Sequence, residues 1–378
     1  MRKLEGMLLI GSAGANVGKT ELACAIIRKL GESSPLTGIK VTTVQAKDGQ
    51  CPRGGAGCGV CSSLDGNFVI TEETNRTSDK DTSRLLRAGA SRVLWLRVIR
   101  THLQEGLKAL LEVIGPDAVS VCESNSLRQV VEPGLFLMVG TRGQKTWKSS
   151  ARRVKEHADR IISSDESGFD FDTVRIKLVA GRWAIQEEAT AIVMAGGDST
   201  RVGRDKSMLP VGNKPMIQHI CDLLRPHFDQ VLISGNDSSR YAFLDIEVVP
   251  DRVAGRGPLM GIASAIRASA YDVNFVIACD IPEFDMGLVR RMLREVRGFD
   301  AAVPRTGRSQ YEPLFAVFKK SALDSIEGAL SSGKTRVMDG LGGCNVRYVD
   351  LAPDERPGNI NTMADYRELV ERQKDDDV

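Results

Sequence analysis

A glycine pair and two basic residues share one loop near the middle of the chain. A short apolar run ends in Gly196 and Gly197, and Arg201 and Lys206 follow within the next nine residues. Glycines leave backbone N–H groups open to phosphate oxygens, and fixed positive charges neutralise the β- and γ-phosphates of a nucleotide. The loop therefore predicts nucleotide chemistry with a departing pyrophosphate, although glycines here could equally form a tight strand-to-helix turn.

A second phosphate-binding pattern lies near the N-terminus, between an apolar run and a helical stretch. It fits the P-loop pattern, except that Ala13 stands where that pattern has its first glycine. In a P-loop the lysine reaches the β- and γ-phosphates, and the hydroxyl that follows it binds Mg²⁺. Thr20 is therefore expected on the metal. The residues expected to bind nucleotide are Gly14, Asn16, Gly18, Lys19 and Thr20.

Acidic residues are candidates to complete both metal sites. Asp280 closely follows the apolar run 275–278, and a carboxylate at the carboxyl end of a sheet strand is well placed to bind Mg²⁺. For the N-terminal loop the candidates are Glu123, Asp79 and Asp81. The alternative for each acid is an ordinary role in a turn, at a strand end or as a helix cap.

Three cysteines, Cys51, Cys58 and Cys61, stand in a glycine-rich segment at spacings of seven and three residues. Thiolates bind zinc and iron–sulfur clusters, so this segment is a candidate site for either. Cys122 or a group outside the segment would supply the fourth ligand. The alternative is a loop with free, redox-active thiols. The four histidines show no metal-binding spacing and are assigned no chemistry.

The composition is that of an ordinary globular protein. Of the 378 residues, 42% are hydrophobic and 26% are charged, and 51 Lys+Arg against 49 Asp+Glu leave a formal net charge of +2. This balance predicts no general binding to nucleic acid. The apolar runs have strand length and the N-terminus lacks the apolar core of a secretory signal, so no membrane span is expected. Because the eight cysteines are mostly scattered singly, we expect a reduced, cytoplasmic protein.

Apolar strands alternate with amphipathic helices in both halves, which predicts an α/β fold with mostly parallel sheets. The length favours two domains. A predicted hairpin over 173–185 places the boundary near Gln186, giving domains 1–186 and 187–378. We expect an N-terminal P-loop NTPase-like domain and a C-terminal Rossmann-like nucleotidyltransferase domain. In the second domain we predict a helix over 216–224 and strands over 231–234, 275–278, 301–303 and 314–318.

Five ordered segments of the second half resemble the signature of molybdenum cofactor guanylyltransferase, the enzyme that joins GMP to molybdopterin. Residues 194–206 resemble its Leu-Ala-Gly-Gly, Ser-x-Arg and Gly-x-Asp-Lys run, with Met194 in place of the usual leucine. Five matches in order are much more specific than one glycine loop. The other segments are Gly212-Asn213-Lys214-Pro215, Gly257-Pro258-Leu259-Met260-Gly261-Ile262, Cys279-Asp280-Ile281-Pro282 and Asn359-Ile360-Asn361-Thr362.

The resemblance implies roles for the matching residues. Arg201, Lys206 and Asp280 would be catalytic, with Asp280 on Mg²⁺, and Asn359 and Asn361 would face the pterin. The same fold serves cytidylyltransferases and enzymes that activate sugars, so GTP as the donor is implied by the family alone. The implied nucleotide-binding residues are Met194, Ala195, Gly196, Gly197, Lys206, Asn236 and Asp251.

The first half resembles the small GTP-binding adapter protein of molybdopterin-guanine dinucleotide synthesis. The resemblance rests on the P-loop, on Gly38-Ile39-Lys40 and on Lys80-Asp81-Thr82-Ser83. It departs at Val41-Thr42-Thr43-Val44, where the adapter has a histidine-rich stretch. The adapter resemblance implies that this half binds GTP.

Motifs and resemblances together imply a bifunctional protein that transfers GMP from Mg·GTP to molybdopterin and releases pyrophosphate. The N-terminal domain would bind GTP and help to hand on the cofactor. Transient contacts with molybdoenzymes or their chaperones are expected, without nucleic acid or membrane. One alternative is the same chemistry with CTP or with a sugar phosphate as acceptor. Another is a nucleotide-dependent carrier that binds the cofactor without reacting.

Overall fold

A computed structural model describes residues 1–44, 64, 66–115, 118–196, 206–307, 310–352 and 355–376. Contacts divide the chain into two compact units, Met1–Ile185 and Gln186–Val378, which we call unit 1 and unit 2. Each unit has its own sheet with an apolar core on either face. Among the described helices, none is long and apolar enough to cross a membrane.

The described part of unit 1 contains an eight-stranded sheet in the order β3-β4-β2-β5-β1-β6-β7-β8. Neighbouring strands are parallel, except that β3 is antiparallel to β4 and β8 to β7. Leu8 and Ile10 enter one core while Met7 and Leu9 enter the other, because side chains alternate across a strand. The strands are β1 (Arg2–Ser12), β2 (Thr37–Val44), β3 (Phe68–Glu72), β4 (Arg92–Ile99), β5 (Ser120–Glu123), β6 (Val131–Thr141), β7 (Arg160–Asp165) and β8 (Gly168–Phe169).

Helices cover this sheet, and a hairpin follows it. The helices are α1 (Lys19–Leu30), α2 (Asp81–Arg87), α3 (Leu103–Ile114) and α4 (Ser149–Arg152). The hairpin pairs β9 (Ile176–Val179) with β10 (Arg182–Ile185) in antiparallel register. The predicted strand was wrong for residues 173–175, which form a 3₁₀ turn. The reason is local, because the side chain of Asp172 accepts a hydrogen bond from the N–H of Val174 and caps that turn.

The described part of unit 2 contains a second eight-stranded sheet, ordered β15-β14-β11-β16-β19-β17-β18, with β20 beside β17. The first four strands of this order are parallel to one another, whereas β19 is antiparallel to both β16 and β17. The strands are β11 (Glu187–Met194), β12 (Pro210–Val211), β13 (Lys214–Pro215), β14 (Phe228–Ser234), β15 (Glu247–Val249), β16 (Val273–Ala278), β17 (Ala301–Gly307), β18 (Gln310–Tyr311), β19 (Phe315–Lys319) and β20 (Val346–Asp350). The short strands β12 and β13 pair with each other outside the sheet.

The helices of unit 2 begin and end where local sequence signals favour it. The predicted helix over 216–224 coincides with α5. The side chain of Asp285 caps the first turn of α7 by accepting from the N–H of Gly287. Because β15, β14, β11 and β16 are parallel, their carboxyl ends share one edge of the sheet. The helices are α5 (Met216–Leu224), α6 (Gly257–Ala268), α7 (Met286–Glu295), α8 (Leu323–Ser331), α9 (Val337–Gly340) and α10 (Met363–Asp376).

Candidate functional site

In unit 1, the loop between β1 and α1 curls around the start of the helix. Asn16 and Gly18 have φ angles of 55° and 86°, in the left-handed region that favours glycine. A Cβ on Gly18 would also lie 3.1 Å from the ring of Phe169, so any side chain there would crowd that ring. The first N–H groups of α1 have no partners within the helix, and they make its start a favourable place for an anion.

Lys19 and Glu123 face each other at this loop. The Nζ of Lys19 lies 3.6 Å from Oε2 of Glu123, whose side chain is fully buried. Neither carboxylate oxygen of Glu123 accepts a hydrogen bond within the described part of the chain. Burial raises the pKa of Glu123 above its ordinary value, against the positive charge of Lys19, which lowers it. A buried carboxyl without donors fits a cation as its partner.

Asp81, at the start of α2, completes the cluster. Its carboxylate makes an ion pair with Lys40 of β2, and Thr20 lies beside both Asp81 and Glu123. Partial burial raises the pKa of Asp81, but the hydrogen bond from Lys40 and the nearby lysine charges outweigh it, and the net pKa is lowered. The structure thus brings together all the predicted P-loop residues, along with two of the three predicted acids. Asp79 is exposed and lines a cavity that the P-loop also lines.

In unit 2, Lys206 joins two segments that are distant in sequence. Its Nζ donates to Oδ2 of Asp280 at 3.2 Å and to the carbonyl oxygen of Ile360 at 2.8 Å. The N–H of Ile360 in turn donates to the carbonyl oxygen of Asp280 at 2.8 Å. Asp280 follows β16 by two residues and is partly exposed, so its carboxylate can reach a ligand at the strand ends.

The glycine loop of unit 2 starts at the carboxyl end of β11. Met194 accepts a hydrogen bond from the N–H of Cys279 at 3.0 Å, and the N–H of Ala195 donates to the carbonyl oxygen of Ser234 at 2.8 Å. Gly261 of α6 packs against this point, where a Cβ would lie 2.8 Å from the Met194 side chain. A side chain at position 261 would therefore have to displace the side chains of Met194 and Ser234.

Asn236 and Asp251, predicted separately, form a pair. The N–H of Asp251 donates to Oδ1 of Asn236 at 2.8 Å, and Nδ2 of Asn236 donates to Oδ2 of Asp251 at 3.1 Å. Asn236 follows β14, which adjoins β11, and Asp251 follows β15, which adjoins β14. Their partly exposed polar atoms can therefore meet a ligand that lies on the Met194 loop.

Asn359 and Asn361 are exposed on either side of Ile360, which brings them to the Lys206–Asp280 pair. The N–H of Asn361 donates to Oδ2 of Asp365 at 2.8 Å. Asp365 also accepts from the N–H of Thr362 while its own N–H donates to the Thr362 hydroxyl. This capping box holds the start of α10 and therefore the asparagine segment.

Two residues that contact this site were not predicted. The hydroxyl of Tyr241 donates to the carbonyl oxygen of Ala195 at 3.3 Å and lies 3.2 Å from Oγ of Ser207. Nε2 of His219 lies 3.2 Å from the carbonyl oxygen of Pro282, in the Asp280 turn. Burial lowers the pKa of His219, so the ring is neutral and donates. No local sequence pattern predicts either contact, because the residues that meet are tens of positions apart in the chain.

Five predicted site residues lie outside the described part of the chain, namely Gly197, Arg201, Cys51, Cys58 and Cys61. Cys122, the suggested fourth ligand, is fully buried in an apolar core of unit 1. Burial raises the pKa of its thiol, which disfavours the thiolate that binds metal. The described residues contain no group of three or more His, Cys, Asp or Glu side chains arranged to hold a metal ion.

Comparison with known proteins points to one family. The model of the MobA-like NTP transferase domain matches residues 191–344. A probable molybdenum cofactor guanylyltransferase of Pelotomaculum thermopropionicum is 40% identical over 178 residues, covering 47% of this chain and 83% of that relative. One of Carboxydothermus hydrogenoformans is 31% identical over 191 residues, covering 49% and 96%.

Among solved structures, molybdopterin-guanine dinucleotide biosynthesis protein A from Archaeoglobus fulgidus is 25% identical, with a TM-score of 0.44. The match covers 49% of this chain and 99% of that one. The stretch 191–344 lies within unit 2 and includes Lys206, Asn236, Asp251 and Asp280. Through unit 2, the chain belongs to the family of MobA-like NTP transferases that includes the molybdenum cofactor guanylyltransferases.

Proposed function

We propose that unit 2 transfers GMP from GTP to molybdopterin. The observation that carries this proposal is the contact of Lys206 with both Asp280 and Ile360, at the carboxyl ends of parallel strands where α/β proteins bind ligands. The names of the relatives supply the two substrates. An oxygen of the pterin's terminal phosphate attacks the α-phosphorus of GTP, the bond from that phosphorus to the β-phosphate bridge oxygen breaks, and pyrophosphate leaves.

The chain's own groups contribute position and charge. Lys206 neutralises charge that develops on the departing pyrophosphate, and we assign backbone N–H groups of the glycine loop to the phosphate oxygens by its sequence. The acceptor phosphate is already ionised at neutral pH, so the reaction needs no strong general base. Arg201 is assigned to the same phosphates by its place in the signature.

Asp280 is the residue we assign to Mg²⁺. One partly exposed carboxylate fits this ion, since Mg²⁺ is commonly held by one or two carboxylates together with substrate phosphates. When bound, it would neutralise phosphate charge. Asp280 also accepts from Lys206, so the carboxylate orients the ammonium group as well.

The two remaining pairs of polar residues are assigned to the two substrates. Asn236 and Asp251 form the nucleotide side, because Asn236 follows β14, which adjoins β11, and is joined to Asp251 by two hydrogen bonds. Asn359 and Asn361 form the pterin side, because they flank the Ile360 contact with Lys206. The acceptor would then lie across Lys206 from the nucleotide.

For unit 1 we propose a second GTP site at the P-loop. The loop conformation, Lys19 and the buried carboxylate of Glu123 support a triphosphate with Mg²⁺, for which Thr20 and Glu123 are the candidate ligands. Molybdoenzymes or their chaperones would be transient partners. The five cysteines of the described ranges are all free, which supports the expected cytoplasmic setting.

Pyrophosphate release tests the reaction of unit 2. The full chain is incubated with Mg²⁺, molybdopterin and each nucleoside triphosphate in turn, beside Asp280→Ala and the control Asp324→Ala, which changes an exposed acid on α8. We expect release with GTP and molybdopterin, its loss in Asp280→Ala, and no change in the control. Release of pyrophosphate with CTP alone would show that the donor is CTP and not GTP. Binding of pterin without any release would favour the carrier alternative.

A further inference from the structure

The P-loop cavity of unit 1 extends well beyond the P-loop. Its volume is about 1280 Å³, whereas roughly 300–1,000 Å³ is typical of a pocket for one small molecule. Its lining includes the loop before α1. It also includes Lys40, Thr42, Trp95 and Arg100, and we call the region beside these four residues the β4 arm. The β4 arm leaves room for a second ligand beside a nucleotide.

The β4 arm lies where two parallel strands end. Lys40 of β2 pairs in register with Trp95 of β4, and Thr42 with Arg97. Register partners on parallel strands point to the same face of a sheet, so these four side chains share one face. The neighbouring positions Ile39 and Leu94 point into the apolar core on the opposite face. A polar face at the carboxyl ends of strands is where open α/β sheets bind ligands.

Trp95 is held in a fixed orientation in this arm. Its indole Nε1 donates to the hydroxyl of Thr42 at 3.0 Å, and the guanidinium group of Arg97 lies 4.7 Å from the ring centroid. The ammonium group of Lys40 lies 6.0 Å from the same centroid, and the ring remains partly exposed and lines the cavity. An indole fixed by a hydrogen bond and a cation presents a ready surface on which a planar ring can stack.

Charge in the arm favours an anion. Lys40 is paired with Asp81, and at the cavity mouth the exposed Asp79 and Lys80 are adjacent and opposite in charge. Arg100 also lines the cavity, and within the described residues it makes no ion pair with a carboxylate. Its buried Nε likewise has no acceptor there. A guanidinium group in this state is suited to a carboxylate or phosphate.

We propose that the β4 arm binds a second ligand, a planar heterocycle that carries a negative charge, beside the nucleotide of unit 1. The ring stacks on Trp95 and the anionic group pairs with Arg100. The existence of the arm is independent of the proposed function. Only the neighbouring nucleotide and the choice of a pterin as the probe rest on it.

Calorimetric titration of the full chain with pterin-6-carboxylate, a planar anion, tests the proposal. We expect Trp95→Leu to abolish one bound equivalent per chain, or to weaken it at least tenfold. Arg100→Gln should weaken it severalfold, and neutral pterin without the carboxylate should bind correspondingly less well. Trp147→Leu, which changes another partly exposed tryptophan outside the cavity lining, should leave binding unchanged.

The variant Lys19→Ala distinguishes binding at the β4 arm from binding at the nucleotide site. It should lower the affinity of unit 1 for GTP, and the binding of pterin-6-carboxylate that depends on Trp95 should not change. The proposal is overturned if the probe does not bind, if Trp95→Leu and Trp147→Leu behave alike, or if GTP competes for the same equivalent. Trp95-dependent binding in a chain that releases no pyrophosphate would instead reject the proposed transferase reaction and leave the second ligand site standing.

Discussion

The ammonium group of Lys206 donates hydrogen bonds to a carboxylate and to a backbone carbonyl. These two bonds determine how a substitution of Lys206 should change the reaction rate. The bond to Ile360 holds the ammonium group in place, and the bond to Asp280 turns it towards the strand ends. Because both residues are assigned to the same phosphates and contact each other, their contributions to the rate should not be independent.

Lys206→Met should lower kcat for pyrophosphate release by roughly 10²–10³, the usual cost of removing one group that stabilises transition-state charge. The double variant Lys206→Met with Asp280→Asn should lose less than the product of the two single losses. Steady-state rates at saturating GTP measure both effects, with Lys334→Met on an exposed lysine as the control. Multiplicative losses would show that the two residues act separately.

His219 supports the Asp280 turn as a neutral donor. Burial lowers the pKa of His219 in the folded protein. At a pH below the ordinary histidine pKa, the unfolded chain therefore binds a proton at this residue more readily than the folded protein does. Its contribution to stability is therefore present above the unfolded-state pKa and is lost as the pH falls below it. The carbonyl of Pro282 is the acceptor, and a glutamine amide can replace the imidazole as donor there.

We expect the melting temperature of unit 2 to fall between pH 7.5 and pH 5.5, and His219→Gln to reduce that fall. Thermal unfolding of both proteins at the two pH values, monitored by a signal that reports on unit 2, measures the difference. An equal fall in the variant would mean that other groups account for it. The activity of His219→Gln at pH 7.5 should stay close to that of the unsubstituted protein.

At the scale of elements, Tyr241 connects the two ends of the glycine loop. It belongs to a 3₁₀ segment, Ser239–Leu244, and its buried hydroxyl contacts Ala195 before the loop and Ser207 after it. The loop ends are thus fixed by a third element that lies between β14 and β15. Flanking residues that are already held in position reduce the entropy lost when a nucleotide binds beside them.

Tyr241→Phe removes only the hydroxyl and should raise KM for GTP about fivefold, which corresponds to about 1 kcal/mol for a hydrogen bond. The melting temperature should change by only a few degrees, since the ring still fills its place in the core. Tyr348→Phe, on β20, is the matched control. A similar loss in both variants, or a large loss of stability without a change in KM, would contradict the role of the hydroxyl.

At the scale of the whole molecule, we propose two phosphate-binding arrangements, one in each unit. They differ in construction. Unit 1 uses the start of a helix and a buried carboxyl, whereas unit 2 uses strand ends and a lysine tied to a distant carbonyl. Separate arrangements predict separate nucleotide sites.

The full chain should therefore bind two molecules of a non-hydrolysable GTP analogue, and Lys19→Ala should lower that number to one. Calorimetry gives the stoichiometry, and pyrophosphate release by the same variant should persist. Lys108→Ala, on the exposed side of α3, should retain both sites. A single nucleotide per chain in the unsubstituted protein, or loss of pyrophosphate release in Lys19→Ala, would show that the two arrangements do not act separately.

Local patterns in the sequence predicted several elements and the candidate residues of both sites. The helix α5 follows from apolar residues at helical spacing, and the strand β16 from a continuous apolar run that ends before Asp280. Local patterns do not predict the direction of a strand in its sheet. The run over 314–318 was predicted as a strand, yet its antiparallel pairing with β16 depends on how the chain returns to the sheet.

Residue type and spacing are enough to select candidates for phosphate chemistry, because phosphate loops are contiguous in sequence. The P-loop residues, Lys206 and Asp280 were selected as candidates in this way. The contacts that orient them could not, since Tyr241, His219 and the pairing of Asn236 with Asp251 join residues 15 to 63 positions apart. Such contacts exist only when strands and helices have packed, and they depend on distances that no local pattern encodes.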